Sequence, residues 1–328
     1  MNMQSLVSFY TSRFFVCGFA GWVLATGLLS AQQFQATASG SMTASGICTP
    51  IGPPLGNGTC PTPGTNTYSG PITNTPVMVY GGSPSTGQSQ VTASLAGSSL
   101  SVSAWSSLNS GTSSSVFLSL SAPAYAGVRL QISVVTGPVS GSGSVTVNGQ
   151  NYTWAQDLDV VTPANGVLPI TISCSTSAGG FSFNSSAAAT VSWSYPGVVA
   201  AGAPTPGCLG PAVAWTRGVP KLGSASFGIT CANAHPSLGA VSVIGLGGLS
   251  TSPFVYDAVN VWIDPNLPLG TLYLGSNAQG EILHPLPLPA APSFQGMDLW
   301  AQWLLLEPSG CTPLGLSGSN AIRVTLQS

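Results

Sequence analysis

From Leu100 onward, apolar residues return at every second position in short runs, broken by glycine, proline, serine and asparagine. The clearest run is Val128, Leu130, Ile132 and Val134, with Arg129, Gln131 and Ser133 between. A period of two sends alternate side chains to opposite faces of a strand, so each run reads as a strand with one dry face and one wet face. Leu100, Val102 and Ala104 repeat the pattern, as do Ile170 to Cys174, Phe181 with Phe183, and Val191, Trp193 and Tyr195. Between two such runs lies Asn148-Gly149, a pair that tolerates the positive φ angles of a type I′ turn. Val145–Trp154 is therefore expected to be a tight hairpin. Short strands joined by turn signals between Pro76 and Pro196 predict an antiparallel sandwich.

The same period continues after a Gly/Pro/Ala-rich break at 196–211. Phe227, Ile229 and Cys231 alternate, as do Val241 and Val243, then Val259, Val261 and Ile263, then Leu272 and Leu274. Ile322, Val324 and Leu326 make a last strand, with Arg323 and Thr325 outward. The most apolar stretch here is Gln295–Glu307. Leu299, Ala301, Trp303 and Leu305 fall on one side, and Trp300, Gln302, Leu304 and Leu306 on the other. Both faces are mostly apolar, as in the central strand of a two-layer sandwich. Its helix-favouring residues make a short helix the competing reading; the alternation of its neighbours favours strand. The expected architecture is all-β, with two antiparallel β-sandwich domains at 76–196 and 197–328. Residues 32–75, rich in Gly, Pro, Ser, Thr and Asn, read as a linker or irregular arm.

Only 4% of residues are charged, against about 25% in an ordinary globular chain. Ser, Thr, Gly, Asn and Gln must do the solvating. Disorder, the first alternative for such a chain, is disfavoured because 44% of residues are hydrophobic and recur in register. A formal net charge of -2 offers no basic patch to nucleic acid and no attraction to anionic lipid. Arg13 is followed by the apolar run Phe14–Leu29, shorter than the roughly 20 residues of a membrane span. The pattern is that of a secretory signal peptide, residues 1–31, with cleavage after Ala31 or, in the motif Ala36-Thr37-Ala38, as late as Ala38. An uncleaved anchor is the alternative. No later segment reads as a span, so a secreted or cell-surface location is expected.

Removal of Cys17 with the leader leaves six cysteines: Cys48, Cys60, Cys174, Cys208, Cys231 and Cys311. An even count in an exported chain suggests disulfides, although six cysteines allow fifteen pairings. Cys48 and Cys60 bracket a Pro/Gly-rich loop and are expected to pair locally. Cys208 and Cys311 lie in turns near opposite ends of the second domain, where a staple would tie its first strand to its last turns. Cys174 and Cys231 continue apolar alternations and read as buried thiols. No Cys/His spacing suggests zinc.

Pro220-Lys221-Leu222-Gly223 with Phe227, Pro287-Leu288-Pro289, Gly296, Gln302-Trp303 and Ser319-Asn320-Ala321 together resemble a C-terminal β-module that recurs in secreted bacterial proteins of uncharacterised function. The resemblance spans about residues 203–328. It implies a secreted β-sandwich with a cysteine pair placed as Cys208 and Cys311 are here, and it brings no catalytic residue.

Chemistry has few candidates. His235 and His284 each precede a proline and read as turn-shaping residues. No G-x-S-x-G elbow occurs, and Gly245-Leu246-Gly247-Gly248 lacks the rest of a dinucleotide fingerprint. Hydrolysis of glycosides needs two carboxylates across a cleft, drawn from Asp157, Asp159, Asp257, Asp264, Glu281, Asp298 and Glu307. Asp157 and Asp159 would share a strand face and could hold calcium with backbone carbonyls; two solvated carboxylates are the plainer reading. Tyr152 and Trp154 would share a face of the hairpin and could form an aromatic platform for a glycan, or could pack into the core. The leading expectation is a secreted or surface-associated structural or interaction protein without enzymatic activity or cofactor. Its partners would be glycans or other surface proteins. The alternatives are a carbohydrate-binding protein using the aromatics of 76–196, and a secreted hydrolase with a carboxylate site.

Overall fold

The computed structural model describes residues 35–46, 64–83, 87–107, 110–137, 139–178, 184–256, 258–267 and 269–328. The leader, Cys48 with Cys60, Phe181 with Phe183, and Asp257 lie outside them. The described residues are built almost wholly of antiparallel strands; a 3-10 turn, Pro292–Phe294, interrupts them. None of their helices is long and apolar enough to cross a membrane.

Two six-stranded sheets face each other in the first sandwich. One contains β1 (Gln35–Gly46), β2 (Gly64–Ile72), β6 (Ser110–Ser121), β8 (Gly141–Val147), β9 (Gln150–Tyr152) and β11 (Val167–Ala178), in the order β2-β1-β6-β11-β8-β9. The other contains β3 (Val77–Ser83), β4 (Gly87–Ala96), β5 (Ser99–Ser106), β7 (Gly127–Thr136), β10 (Gln156–Val161) and β12 (Ser185–Ser194), in the order β10-β7-β12-β5-β4-β3. Leu118, Leu120, Leu130, Ile132, Ile170 and Ile172 fill the space between. The predicted β8–β9 hairpin forms, with φ of 48° at Asn148 and 79° at Gly149, as a type I′ turn requires.

The reading of 32–75 as linker or arm is corrected for residues 35–46 and 64–72. These are strands: β1 pairs along its whole length with β6 and from Ala38 to Gly46 with β2. Ala38, Met42 and Ala44 are its buried apolar side chains, too sparse a signal to stand out among Ser, Thr and Gly. The small residues have a steric cause. A Cβ on Gly40 would lie 2.7 Å from the Ser115 carbonyl oxygen, so β1 and β6 approach too closely there for a larger side chain. The inner face of β6 is also half polar: Ser110, Thr112 and Ser114 point inward below Val116, Leu118 and Leu120. Their hydroxyls are matched, with Thr112 on Thr176 at 2.7 Å and Ser114 on the Cys174 carbonyl at 2.9 Å, as buried polar groups must be.

The second sandwich uses shorter strands. They are β13 (Val198–Ala201), β14 (Val213–Arg217), β15 (Gly228–Ala232), β16 (Gly239–Gly245), β17 (Leu249–Tyr256), β18 (Val259–Ile263), β19 (Leu269–Gly275), β20 (Ile282–Pro285), β21 (Asp298–Leu306), β22 (Leu316–Gly318) and β23 (Ala321–Thr325). The main sheet runs β13-β23-β21-β16-β19, with β22 added to β21. A β14-β15-β20 sheet packs against it, and β17 and β18 form a separate hairpin. Asp298–Leu306 within the Gln295–Glu307 stretch is thus the strand β21 at the centre of its sheet. Trp303 is fully buried and donates through Nε1 to the Thr230 carbonyl across the core. Gln302 is equally buried on the other face. Its Oε1 accepts from Trp262 N–H, and its Nε2 donates to the carbonyls of Asn260 and Ser319. One fully matched amide therefore pins the β17–β18 hairpin to the sheet.

The two sandwiches meet directly. Ala126 bridges to Arg217 and Gly218, and Gly218 N–H donates to the Tyr125 carbonyl at 3.2 Å. A Cβ on Gly127 would collide with the Gly218 backbone. Tyr195 packs against both cores and stands edge-on to Trp215 at 5.9 Å.

Candidate functional site

The hairpin aromatics do not form the expected shared face. β9 ends at Tyr152, so Trp154 sits in a bend beyond the ladder, where a period of two no longer governs it. Tyr152 is half-buried against the first core, while Trp154 is 62% exposed.

Asp157 and Asp159 do share the exposed face of β10. Asp159, however, is engaged by Arg129 on the neighbouring strand, Nε to Oδ1 at 2.7 Å and Nη2 to Oδ2 at 2.9 Å. The carboxylate hydrogen bond raises the Arg129 pKa further above its ordinary value, with Asp157 adding to it. Both Asp159 oxygens are therefore held by a cation, a poor start for a calcium site. Two strand neighbours in β7 and β10 place this pair, Arg129 directly opposite Asp159.

Cys208 and Cys311 are joined by a disulfide, their Cα atoms 5.5 Å apart across 103 residues. Glu307 lies with their sulfurs in a group compact enough for an ion. A disulfide sulfur is not a thiolate, so the group offers one carboxylate only. That carboxylate accepts from Ser317 Oγ at 2.6 Å and from Cys208 N–H at 3.3 Å, reinforcing the staple. Cys174 and Cys231 are buried thiols in separate cores. Burial pushes Cys174 up to about 11 and Cys231 higher still, which leaves them unreactive as nucleophiles.

The turn-shaping reading holds for His235, whose Nδ1 lies 3.2 Å from the Pro236 carbonyl oxygen, and needs correction for His284. His284 belongs to β20, opposite Ile229, and its Nδ1 meets Ser242 Oγ at 2.9 Å. Desolvation lowers its pKa. Ser242 is fully buried in β16, so this contact ties one sheet to the other and presents no accessible nucleophile. Asp264 accepts from Asn266 N–H at 2.9 Å in a local turn, and Asp298 accepts from Thr325 Oγ1 between β21 and β23.

Two concavities stand out among the described residues. A groove of about 260 Å³ crosses the outer face of the second sheet of the first sandwich, floored by Ala104, Ala187 and Ala188 and edged by Trp105, Gln90, Thr92 and Ser103. Nothing in it is charged. A cavity of about 220 Å³ lies at the seam, between Pro123, Ala124 and Tyr125 of the first sandwich and Arg217, Cys231, Asn277, Glu281 and Ile282 of the second. Neither is foreseeable from local patterning. The first depends on which residues of four strands become neighbours at the sheet's outer face, and the second on how two separately folded units dock.

No family model matches the chain, and no curated protein does. Among solved structures, the chain is similar to the glycoside hydrolase domain of Endo-D from Streptococcus pneumoniae R6, at 10% identity and a TM-score of 0.19. The alignment covers 69% of this chain and 33% of that one. A likeness of that size carries no argument about fold or activity.

Proposed function

We propose that the protein is a secreted or surface-associated interaction protein without catalytic activity. The observation that carries this reading is the use made of its few ionisable groups. Asp159, Asp264, Asp298, Glu307 and His284 are each tied by a hydrogen bond to a neighbouring strand or turn. Acid-base catalysis needs a group free to exchange its proton with substrate. Export is supported by the leader-like N-terminus, and the fold favours Ala31 as its end. Cleavage after Ala38 would strip four residues from β1, including buried Ala38, which sits between Ile72 and Leu118. Two measurements test the reading. The N-terminal residue of protein recovered from the medium should be Gln32. A panel of chromogenic esters and glycosides should show no turnover; hydrolysis abolished by a single Asp→Asn or Glu→Gln change would replace it with the hydrolase reading.

A second reading, glycan binding by the first sandwich, is supported by the neutral groove. One aromatic ring beside amide and hydroxyl groups suits the apolar face and hydroxyl rim of a sugar. A glycan array probed with the mature protein tests it. Loss of signal in Trp105→Ala would assign binding to the groove, and loss in Trp154→Ala to the hairpin bend. Silence on the array would dismiss the reading.

A further inference from the structure

The seam cavity has three features that the fold alone does not require. The first is backbone strain. Ala126 N–H donates to the Pro123 carbonyl at 3.2 Å, closing a tight turn in which Tyr125 takes a φ of 60°. Glycine or asparagine is the ordinary occupant of such a position. A bulky L residue is strained there, because its Cβ crowds the following carbonyl oxygen. The second is what the strained residue does. The Tyr125 ring lies 5.2 Å from Arg217 Cζ, holding the guanidinium by its face. The third is two opposite charges on one small cavity that do not meet. Arg217 makes no ion pair or side-chain hydrogen bond among the described residues. Across from it, Glu281 Oε2 accepts from Asn277 Nδ2 at 3.1 Å, and Asn277 Oδ1 accepts from Glu281 N–H at 2.9 Å. Both charged groups are thus held in place by neighbours, and the guanidinium donors and one carboxylate oxygen stay open.

Charge is scarce in this chain, which has five Lys and Arg and seven Asp and Glu in 328 residues. Neutral recognition could be built from its abundant hydroxyls and amides, such as those lining the outer-face groove. A lone anion would meet Glu281, and a lone cation would meet Arg217. We propose that the seam cavity binds a small zwitterion, of the size of an amino acid or dipeptide, its anionic group on Arg217 and its ammonium on Glu281. The apolar part of the ligand lies against Pro123, Ala124 and Ile282. Because the two charges come from the second sandwich and Tyr125 from the first, the ligand also bridges the seam. This site is independent of the proposed glycan groove and of the proposed non-catalytic role.

The test is calorimetric titration of the mature protein with leucine and with alanyl-alanine. N-acetyl-leucine lacks the ammonium, leucine amide lacks the carboxylate, and glucose and galactose are neutral controls. The zwitterions should bind, and each single-charge analogue should be at least about tenfold weaker. Glu281→Gln, which keeps an acceptor for Asn277, should weaken leucine while leaving N-acetyl-leucine no weaker, since its carboxylate then meets no like charge. Tyr125→Gly should weaken leucine about tenfold with an unchanged or higher melting temperature, since glycine relieves the turn. Failure of both zwitterions to bind, equal binding of a single-charge analogue, binding of the sugars instead, or indifference to Glu281→Gln would each overturn the proposal.

Discussion

The first sandwich fills its interior with medium-sized aliphatic side chains contributed evenly by long strands, and among its described buried core residues only Trp193 is aromatic. The second has shorter strands and a core centred on Trp303, Phe227 and Trp215. It adds a disulfide, a buried glutamine and a histidine–serine contact between its sheets. Long strands carry many ladder hydrogen bonds and many alternating contacts, so each residue matters modestly. Short strands give less regular pairing, and irregular segments must satisfy their backbone groups through particular side chains. Stability in the second sandwich is therefore concentrated in a few residues.

The sharpest way to break this contrast is to remove the staple. In denaturant, Cys208→Ser with Cys311→Ser should destabilise the second sandwich by up to about 4–5 kcal/mol, the chain-entropy figure for a loop of this length. The first sandwich should be unchanged. A single transition that shifts as a whole would mean that the seam couples the two sandwiches into one unfolding unit. Next in size is Gln302→Leu. It leaves the Trp262 N–H and the carbonyls of Asn260 and Ser319 without their partner, at a cost of roughly 3 kcal/mol. Amide exchange should rise first in β17 and β18, and a loss spread evenly over the main sheet would contradict the pinning role.

The buried hydroxyl pair of the first sandwich should behave differently. Thr112→Val alone strands the Thr176 hydroxyl and should cost about 1–2 kcal/mol, whereas Thr112→Val with Thr176→Val should return close to the parent. A double variant as unstable as the single would show that this sandwich, too, depends on particular polar contacts. The smallest effect concerns pH. The unfolded His284 takes up its proton near 6.5, while desolvation depresses its folded value. The second sandwich should thus hold its full stability above about pH 6.5 and lose some as pH falls through the folded value. The described residues of the first sandwich contain no histidine and should show no such step. His284→Gln should flatten the profile; an unchanged slope would exclude His284 as its source.

What was legible in the sequence follows the same divide. Alternating Val, Leu and Ile reported β5, β7 and β11 directly, and Asn148-Gly149 reported the hairpin, because burial and turn geometry select those residues locally. β1 and β2 were hidden because close strand approach at Gly40 selects small residues, which also mark loops. β21 was legible as a central strand from two apolar faces, yet Gln302 gave no sign of its pinning role, since its three partners are set by tertiary contact. The site residues fared worst. Asp159 was visible as a carboxylate on a strand face, but its neutralisation by Arg129 depends on register. Tyr125, Arg217 and Glu281 lie in separate segments with no pattern in common; the fold of the second sandwich gathers Arg217 and Glu281, and only the docking of two folded units adds Tyr125.

The pairing of β13 with β23 has a mechanical consequence. The chain enters the second sandwich at Val198, and Val198 lies opposite Val324, next to the chain's last residues. Tension between the first sandwich and Ser328 therefore pulls on the same end of an antiparallel pair, opening its hydrogen bonds one after another instead of loading them together. Peeling from either side then stops at Cys208 and at Cys311. The 103-residue span between them stays out of the load path, hiding roughly 350 Å of extensible length. Under oxidising conditions the second sandwich thus yields early and lengthens little, while its reduced form would yield at the same pair and keep extending.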